Sequence, residues 1–183
     1  APKFERQTLG ELKLKKRLII IDSSKLIQNH KLNFKSVNSG VLYQDLNSFK
    51  ITKSKIKLVS KNKASKNTID DMIFAYKVAK HVKSNAIILA NNKQTLGIGA
   101  GQMSRSDSTN IAIMKYKNFF KNKKFVCASD AFFPFTDNIK KLLKLKCKGI
   151  IQPGGSINDN KIIDYAIKFK ASLYFAKYRV FKH

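Results

Sequence analysis

The chain has 183 residues, of which 43% are hydrophobic, and its 37 Lys and Arg against 11 Asp and Glu give a net charge of +26. This length and apolar content suffice for the core of one domain, which excludes a disordered polymer. No apolar run approaches the roughly 20 residues that cross a bilayer and no signal peptide opens the chain, so we expect a cytoplasmic protein without a membrane partner.

The positive charge leaves two interpretations open. Nucleic acid is the usual partner of so basic a chain. Only four of the basic residues are Arg, however, and bidentate contacts to bases and phosphates favour Arg. Basic residues are also absent from Phe125–Ile139 and Gly149–Asn160. We therefore favour a lysine-coated surface with the chemistry in those segments, and no nucleic-acid partner; a basic nucleic-acid-binding module is the alternative.

The two cysteines, Cys127 and Cys147, stand alone in the sequence, which is typical of small buried hydrophobes in a reducing compartment. No Cys or His spacing of a known metal site is present. The sequence therefore predicts no zinc and no other metal bound by these side chains.

The first third of the chain predicts two short elements and a boundary. Leu18–Ile21 is an apolar run typical of a buried strand, and Gly40 within Val37–Gln44 indicates a bend or a close backbone approach. The polar, basic stretch from Ser48 to Lys66 then suggests a connection. We place the domain boundary there, with a linking part over residues 1–60 and a second unit over 61–183.

The rest of the chain alternates between strand and helix patterns. A helix is predicted to start near Thr68, where Thr68–Asp71 resembles a capping box. Ala86–Ala90 and Thr95–Ile98 predict a hairpin. The remaining predicted elements are helices over about Ser104–Tyr116, Asp137–Lys146 and Asn158–Phe169, and strands over Phe125–Ala128, Gly149–Ile151 and Ser172–Phe175. This order predicts an α/β layered fold with a mixed, largely parallel sheet and flanking helices.

Two loops after strands have unusual content, and ligands gather at such loops in α/β sheets. The aromatic loop, Ser129–Asp137, holds three Phe residues. They either fill the core or stack on a flat heteroaromatic ligand while a flanking Asp130 or Asp137 accepts from its N–H edge. The glycine-rich loop, Gln152–Ser156, offers either an anion site at a helix start or a plain tight turn.

Five strings in this order carry a resemblance to a known family. They are VKSN at Val82–Asn85, GIGAGQMSR at Gly97–Arg105, SDAFFPF at Ser129–Phe135, IQPGGS at Ile151–Ser156 and RVFKH at Arg179–His183. Together, and over nearly the whole chain, they resemble the carboxyl-terminal third of the AICAR transformylase domain of the bifunctional AICAR transformylase/IMP cyclohydrolase family.

The resemblance implies a cytidine-deaminase-like fold that has lost its zinc. It implies formyl transfer from 10-formyltetrahydrofolate to the 5-amino group of AICAR, with ring closure to IMP in a separate amino-terminal domain that this chain lacks. It also implies a homodimer with shared active sites, and leaves open whether a monovalent cation supports the fold.

The same resemblance assigns roles to individual residues. Asn85 matches the residue that orients the formyl group and the attacking amine. Arg179 matches a ligand of the AICAR phosphate, and His183 a contact to its carboxamide. Folate contacts fall on Arg105 and Ser156, on the pterin wall of Phe132, Pro134 and Phe135, and on Asp137 and Asn138 at the polar edge of the pterin.

Two departures from the family pattern bear on activity. Thr136 stands where the family usually has Arg, and a degenerate remnant that folds without turnover is therefore a third hypothesis. The family's catalytic Lys–His pair, within a K-H-x-N-P string, is absent, and Lys80-His81 lies in a different context. We therefore expect the pair upstream of Ala1 and no turnover by these residues alone.

Overall fold

A computed structural model describes residues 3–25, 32–45 and 49–182. The chain separates into two compact units, residues 1–46 and 47–183. The sequence-based boundary near residue 60 stays a prediction, and each unit is described by itself below.

The first unit contains a helix and a hairpin. Helix α1 spans Arg6–Lys13, and strands β1 (Leu32–Val37) and β2 (Gly40–Asp45) pair in antiparallel register. Of the two alternatives at Gly40 the bend is favoured, since the hairpin turn ends there and a Cβ on Gly40 would meet nothing within 4 Å. The buried strand predicted over Leu18–Ile21 is wrong: the segment is irregular and Ile19 is 85% exposed.

The second unit is a mixed α/β sheet with helices on both faces. Its strands are β3 (Lys57–Leu58), β4 (Ile87–Asn91), β5 (Gln94–Gly99), β6 (Phe125–Ser129), β7 (Cys147–Gln152) and β8 (Ser172–Phe175), in the spatial order β3-β8-β7-β6-β4-β5. Its helices are α2 (Lys66–Ala79), α3 (Arg105–Phe120), α4 (Thr136–Lys144) and α5 (Asp159–Lys168), and a short 3-10 turn spans Lys53–Lys55.

The α/β class is confirmed, but the sheet is less parallel than the sequence predicts. Within the described residues, β6–β7 and β7–β8 pair in parallel, whereas β4–β5, β4–β6 and β3–β8 are antiparallel. The reason is the β4–β5 hairpin, which inserts beside β6 with β4 running against it. A parallel neighbour requires a crossover connection, which is usually a helix. In this chain α4 joins β6 to β7 and α5 joins β7 to β8.

Two apolar clusters fill the layers on the two sheet faces. Helix α2 covers one face with Met72, Tyr76 and neighbours, while α3, α4 and α5 cover the other. Cys127 and Cys147 are free, as predicted, and are buried in the layer between the sheet and helices α3, α4 and α5. Burial raises the pKa of both thiols, that of Cys147 to about 12.

Helix α2 begins three residues earlier than the capping-box interpretation predicts. Ser65 is the N-cap, and its hydroxyl accepts from the Thr68 backbone N–H at 3.2 Å. The buried Asp71 carboxylate accepts from the backbone N–H groups of Asn92 and Lys93, at 3.0 and 2.8 Å. Both residues lie in the β4–β5 turn and have positive φ. By accepting from their N–H groups, the Asp71 carboxylate fixes the β4–β5 hairpin to α2.

Helix α3 packs main chain to main chain against β5, and this requires glycine. A Cβ on Gly97 would lie 2.2 Å from the Ala112 carbonyl oxygen, and a Cβ on Gly99 1.8 Å from that of Ser108. The GIGAG string is therefore a packing motif in this fold. It brings the amino end of α3 directly to the sheet.

Two further features concern the class of protein. Among the described residues, no helix combines the length and apolar character that a membrane crossing requires. In the same ranges, His, Cys, Asp and Glu side chains nowhere assemble in threes at a distance that would hold a metal ion.

Candidate functional site

The sequence-predicted site residues that the structure describes gather along one edge of the second unit's sheet. Parallel strands β6 and β7 end at Ser129 and Gln152, and antiparallel β4 begins beside them, with Ile87 opposite Ser129. We call this the carboxyl edge. The two loops singled out in the sequence, the segment before β4 and the chain after β8 all meet there.

Asp130 is the centre of this edge. It is fully buried, and its carboxylate accepts from Arg105 Nη2 at 2.7 Å and from the Ser84 hydroxyl at 2.5 Å. Arg105 is nearly buried as well and donates from Nε to the Ser129 hydroxyl at 2.9 Å. A buried charge needs such partners. Asp130 is thus occupied within the protein, which corrects the interpretation that it faces the N–H edge of a ligand.

The main chain of Asp130 joins two more segments. Its N–H donates to the Ala86 carbonyl oxygen at 3.2 Å, and its carbonyl oxygen accepts from the Val180 N–H at 3.0 Å. The segment after β8 also bonds to Ser84, whose N–H donates to the Lys182 carbonyl oxygen at 2.9 Å. Residues 180–182 are therefore docked on the edge. His183 lies outside the described residues.

Asn85 is held between the chain after β5 and helix α3. Its amide Nδ2 donates to the carbonyl oxygens of Gln102 at 2.8 Å and Met103 at 3.3 Å. The backbone carbonyl oxygen of Asn85 accepts from the Ser108 hydroxyl at 2.7 Å. Since Arg105 belongs to the same helix, the structure brings Asn85 and Arg105 to one point of the edge.

The three rings of the aromatic loop have three different environments. Phe133 is fully buried in the core, and its N–H donates to Gln152 Oε1 at 2.8 Å. For this ring the core interpretation is confirmed. Phe132 is half-buried with the Arg179 guanidinium 5.0 Å from its centroid, and Phe135 is 66% exposed. Phe132 and Phe135 are thus the two rings that a ligand can reach.

The glycine-rich loop is a tight turn in which the chain's own carboxylate binds one of the backbone donors. Gly154 and Gly155 have φ of +76° and +92°, and the Gly155 N–H donates to the Asp159 carboxylate at 2.7 Å. The Ser156 hydroxyl accepts from the Asn158 N–H at 3.1 Å. Of the two interpretations left open, the plain turn is favoured, because a carboxylate of the chain occupies the place of an anion.

The glycine-rich loop is also tied to the aromatic loop. Asn158 Nδ2 donates to the Pro134 carbonyl oxygen at 2.8 Å, which sets the half-buried Ser156 near the start of α4. In the first turn of that helix Asp137 is exposed, whereas Asn138 is 2% exposed. Within the described residues the Asn138 Oδ1 atom is buried without a hydrogen-bond partner.

Sequence reasoning did not single out two residues that build the edge. Ser84 links Asp130 to Lys182, and buried Gln152 links the aromatic loop to the chain after β8, since its backbone carbonyl oxygen accepts from the Ala176 N–H at 2.8 Å. The only available signal was that both lie within the quoted strings. Their partners are distant in sequence and could not be deduced from it.

The architecture defines an α/β protein whose candidate ligand site is a loop-built edge, stabilised by a buried Arg–Asp pair and bordered by accessible aromatic rings. The chain belongs to a family: residues 1–115 match the model of the AICARFT/IMPCHase bienzyme.

Curated relatives extend the match over the whole chain. It is 47% identical over 184 residues to the bifunctional purine biosynthesis protein PurH of Wigglesworthia glossinidia brevipalpis. It is 41% identical to the PurH of Aquifex aeolicus and 40% identical to that of Buchnera aphidicola subsp. Schizaphis graminum. Each alignment covers 100% of this chain but 35–36% of the relative, so the chain spans about a third of their length.

Proposed function

We propose that this chain is the carboxyl-terminal part of the formyl-transferring half of the bienzyme, acting in purine biosynthesis. The reaction would convert AICAR and 10-formyltetrahydrofolate to formyl-AICAR and tetrahydrofolate. Family membership supports the proposal. The observation that carries it is the carboxyl edge itself: Arg105 pairs with Asp130, Asn85 bonds to the helix that carries Arg105, and Arg179 lies over Phe132 in the aromatic loop.

The proposed roles are those that the resemblance implies. Arg179, exposed and seated over Phe132, would bind the AICAR phosphate, with His183 at the carboxamide. Asn85 would orient the formyl group and the attacking amine. The folate would contact Arg105, Phe132, Pro134, Phe135, Asp137, Asn138 and Ser156.

The chemistry requires one bond made and one broken. The AICAR amine nitrogen bonds to the formyl carbon, the bond from that carbon to N10 of the folate breaks, and the proton lost by the amine ends on N10. This chain supplies positioning for that exchange, since binding reacting groups in aligned contact provides much of such a rate enhancement. The family's Lys–His pair is absent from these residues, so we propose that the isolated chain has no turnover.

Finer aspects of the resemblance belong to the same proposal. The sheet would be a cytidine-deaminase-like layer fold without zinc, assembled as a homodimer in the cytoplasm. The proposal does not include a monovalent cation, since the resemblance leaves open whether one supports the fold. Cyclohydrolase activity would reside in a domain that is not part of these 183 residues.

The test uses the full-length bienzyme and its two activities. Arg179→Gln should raise the KM for AICAR in formyl transfer by about tenfold or more, the loss expected for one charge-assisted hydrogen bond to a phosphate. Phe132→Leu should raise the KM for the folate. Cyclohydrolase activity of the same preparations is the internal control, and Lys177→Gln, exposed and two positions from Arg179, is the matched variant.

The outcomes discriminate between the hypotheses. Unchanged formyl transfer in both variants would refute the proposed pocket. Equal loss of both activities would indicate misfolding of the bienzyme instead of a local role. A nucleic-acid-binding module predicts salt-dependent RNA binding that Phe132→Leu leaves intact.

A further inference from the structure

A cavity of about 420 Å³ lies beside the carboxyl-terminal half of α2, in the second unit. It is formed by α2, by the segment before the 3-10 turn and by the chain after β8. None of the residues assigned to formyl transfer above lines it. The cavity therefore requires an explanation of its own.

The floor of this cavity is apolar and rigidly held. Ile51, Tyr76 and Val180 are 5%, 1% and 1% exposed, and Phe49 packs with its ring centroid 4.2 Å from that of Tyr178. The Tyr76 hydroxyl donates to the Tyr178 carbonyl oxygen, so its polar atom is used internally. Burial raises the Tyr76 pKa and the ring stays neutral. Such a floor suits a flat apolar body.

The rim of the cavity is basic. It carries Lys50, Lys77, Lys80 and His81, and its described lining includes neither Asp nor Glu. Lys50, Lys77 and His81 are exposed, while Lys80 is half-buried with its Nζ 3.4 Å from the Phe49 carbonyl oxygen. The rim thus places several cations around an apolar hollow. An apolar ligand alone would leave the rim unused, and a bare inorganic anion would leave the floor unused.

We infer that this cavity binds a small organic phosphate with a flat apolar body, of the size of a nucleoside monophosphate. Its volume lies in the range of about 300–1,000 Å³ usual for small-molecule sites. The floor receives the ring and the lysines bind the phosphate as hydrated point charges. This site goes beyond the proposed formyl transfer and does not depend on it.

The experiment measures binding of 1-naphthyl phosphate to the full-length protein by calorimetry. Combined Lys50→Gln and Lys77→Gln should weaken binding by at least about tenfold, as expected for lost charge-assisted contacts. The matched control, Lys161→Gln with Lys168→Gln, removes two exposed charges from α5 and should stay within about twofold. Inorganic phosphate and 1-naphthol should each bind at least about tenfold more weakly than the combined molecule.

Location is read from methyl NMR signals. The methyl groups of Ile51 and Val180 should shift on addition of 1-naphthyl phosphate. Absence of binding, unshifted methyl groups, or equal weakening by both double variants would overturn the inference. Binding that Arg179→Gln abolishes while the Lys50/Lys77 variant retains it would also do so, since the molecule would then occupy the proposed AICAR site.

Discussion

Replacing Asp130 with Asn removes the negative charge at the centre of the carboxyl edge while keeping the side-chain shape. Asp130 is fully buried, and the Arg105 side chain is 11% exposed. Breaking a buried pair by neutralising one partner costs about 3–5 kcal/mol, because the other charge is left buried and unpaired. We expect about 3 kcal/mol, the low end of that range, since Arg105 keeps its bond to Ser129 and some contact with solvent.

The assay is urea unfolding of the variants with a double-mutant cycle. Asp130→Asn and Arg105→Gln should each destabilise the chain. The double variant should be more stable than the sum of the two changes predicts, by about 2 kcal/mol, because no unpaired charge remains. Asp164→Asn removes an exposed carboxylate from α5 and should change stability by no more than about 0.5 kcal/mol.

A loss below about 1 kcal/mol for Asp130→Asn, or an additive cycle, would refute the reasoning. Either result would mean that the pair is solvated, as surface pairs are. The carboxyl edge would then be held by its other hydrogen bonds and not by the ion pair.

Two further predictions concern packing and the thiols. Gly99→Ala should destabilise the chain by about 3 kcal/mol or more in thermal unfolding, because its Cβ would lie 1.8 Å from the Ser108 carbonyl oxygen. The control is Gly10→Ala, whose Cβ would meet nothing within 4 Å and which should be neutral or slightly stabilising. Neither Cys127 nor Cys147 should react with a disulfide reagent at pH 8 until denaturant is added. Because the folded Cys147 pKa is raised from 9.0 to about 12, the unfolded chain ionises first, and stability should fall as pH rises from about 9 to 12, less so in Cys147→Ala.

Periodicity in the second unit was sufficient to predict most of its elements. The predicted β4–β5 hairpin and the helix after Ser104 are confirmed, because alternation and an N-cap serine are local signals. Leu18–Ile21 failed for the opposite reason. An apolar run is compatible with a strand, but whether it forms one depends on long-range contacts that the run itself does not specify.

The candidate site shows the same division. Asp130 was identified as a functional candidate from its place after a strand, but its partner Arg105 lies 25 positions away. Local sequence therefore suggested a free carboxylate where the fold provides an ion pair. Likewise, of the N–H groups expected to be free in the glycine-rich loop, that of Gly155 donates to Asp159, a bond that becomes visible only once α5 is placed.

The resemblance assigns roles to residues that physical patterns do not single out. Nothing in periodicity distinguishes Phe132 and Phe135, which remain accessible, from Phe133, which enters the core. The assignments of individual ligand contacts remain predictions until ligand binding is measured. In the structure Asn85 bonds to helix α3, which carries Arg105, and Arg179 lies over Phe132 in the aromatic loop.

Gln152 has a practical consequence for any redesign of ligand preference. Its side chain fixes Phe133 and its carbonyl oxygen fixes Ala176, so one buried amide sets the spacing of two neighbouring segments. Libraries that vary it would change both segments at once and yield mostly unfolded clones. Diversity is better confined to Phe135 and Asp137, which project into solvent from the same edge and alter its chemistry without altering its frame.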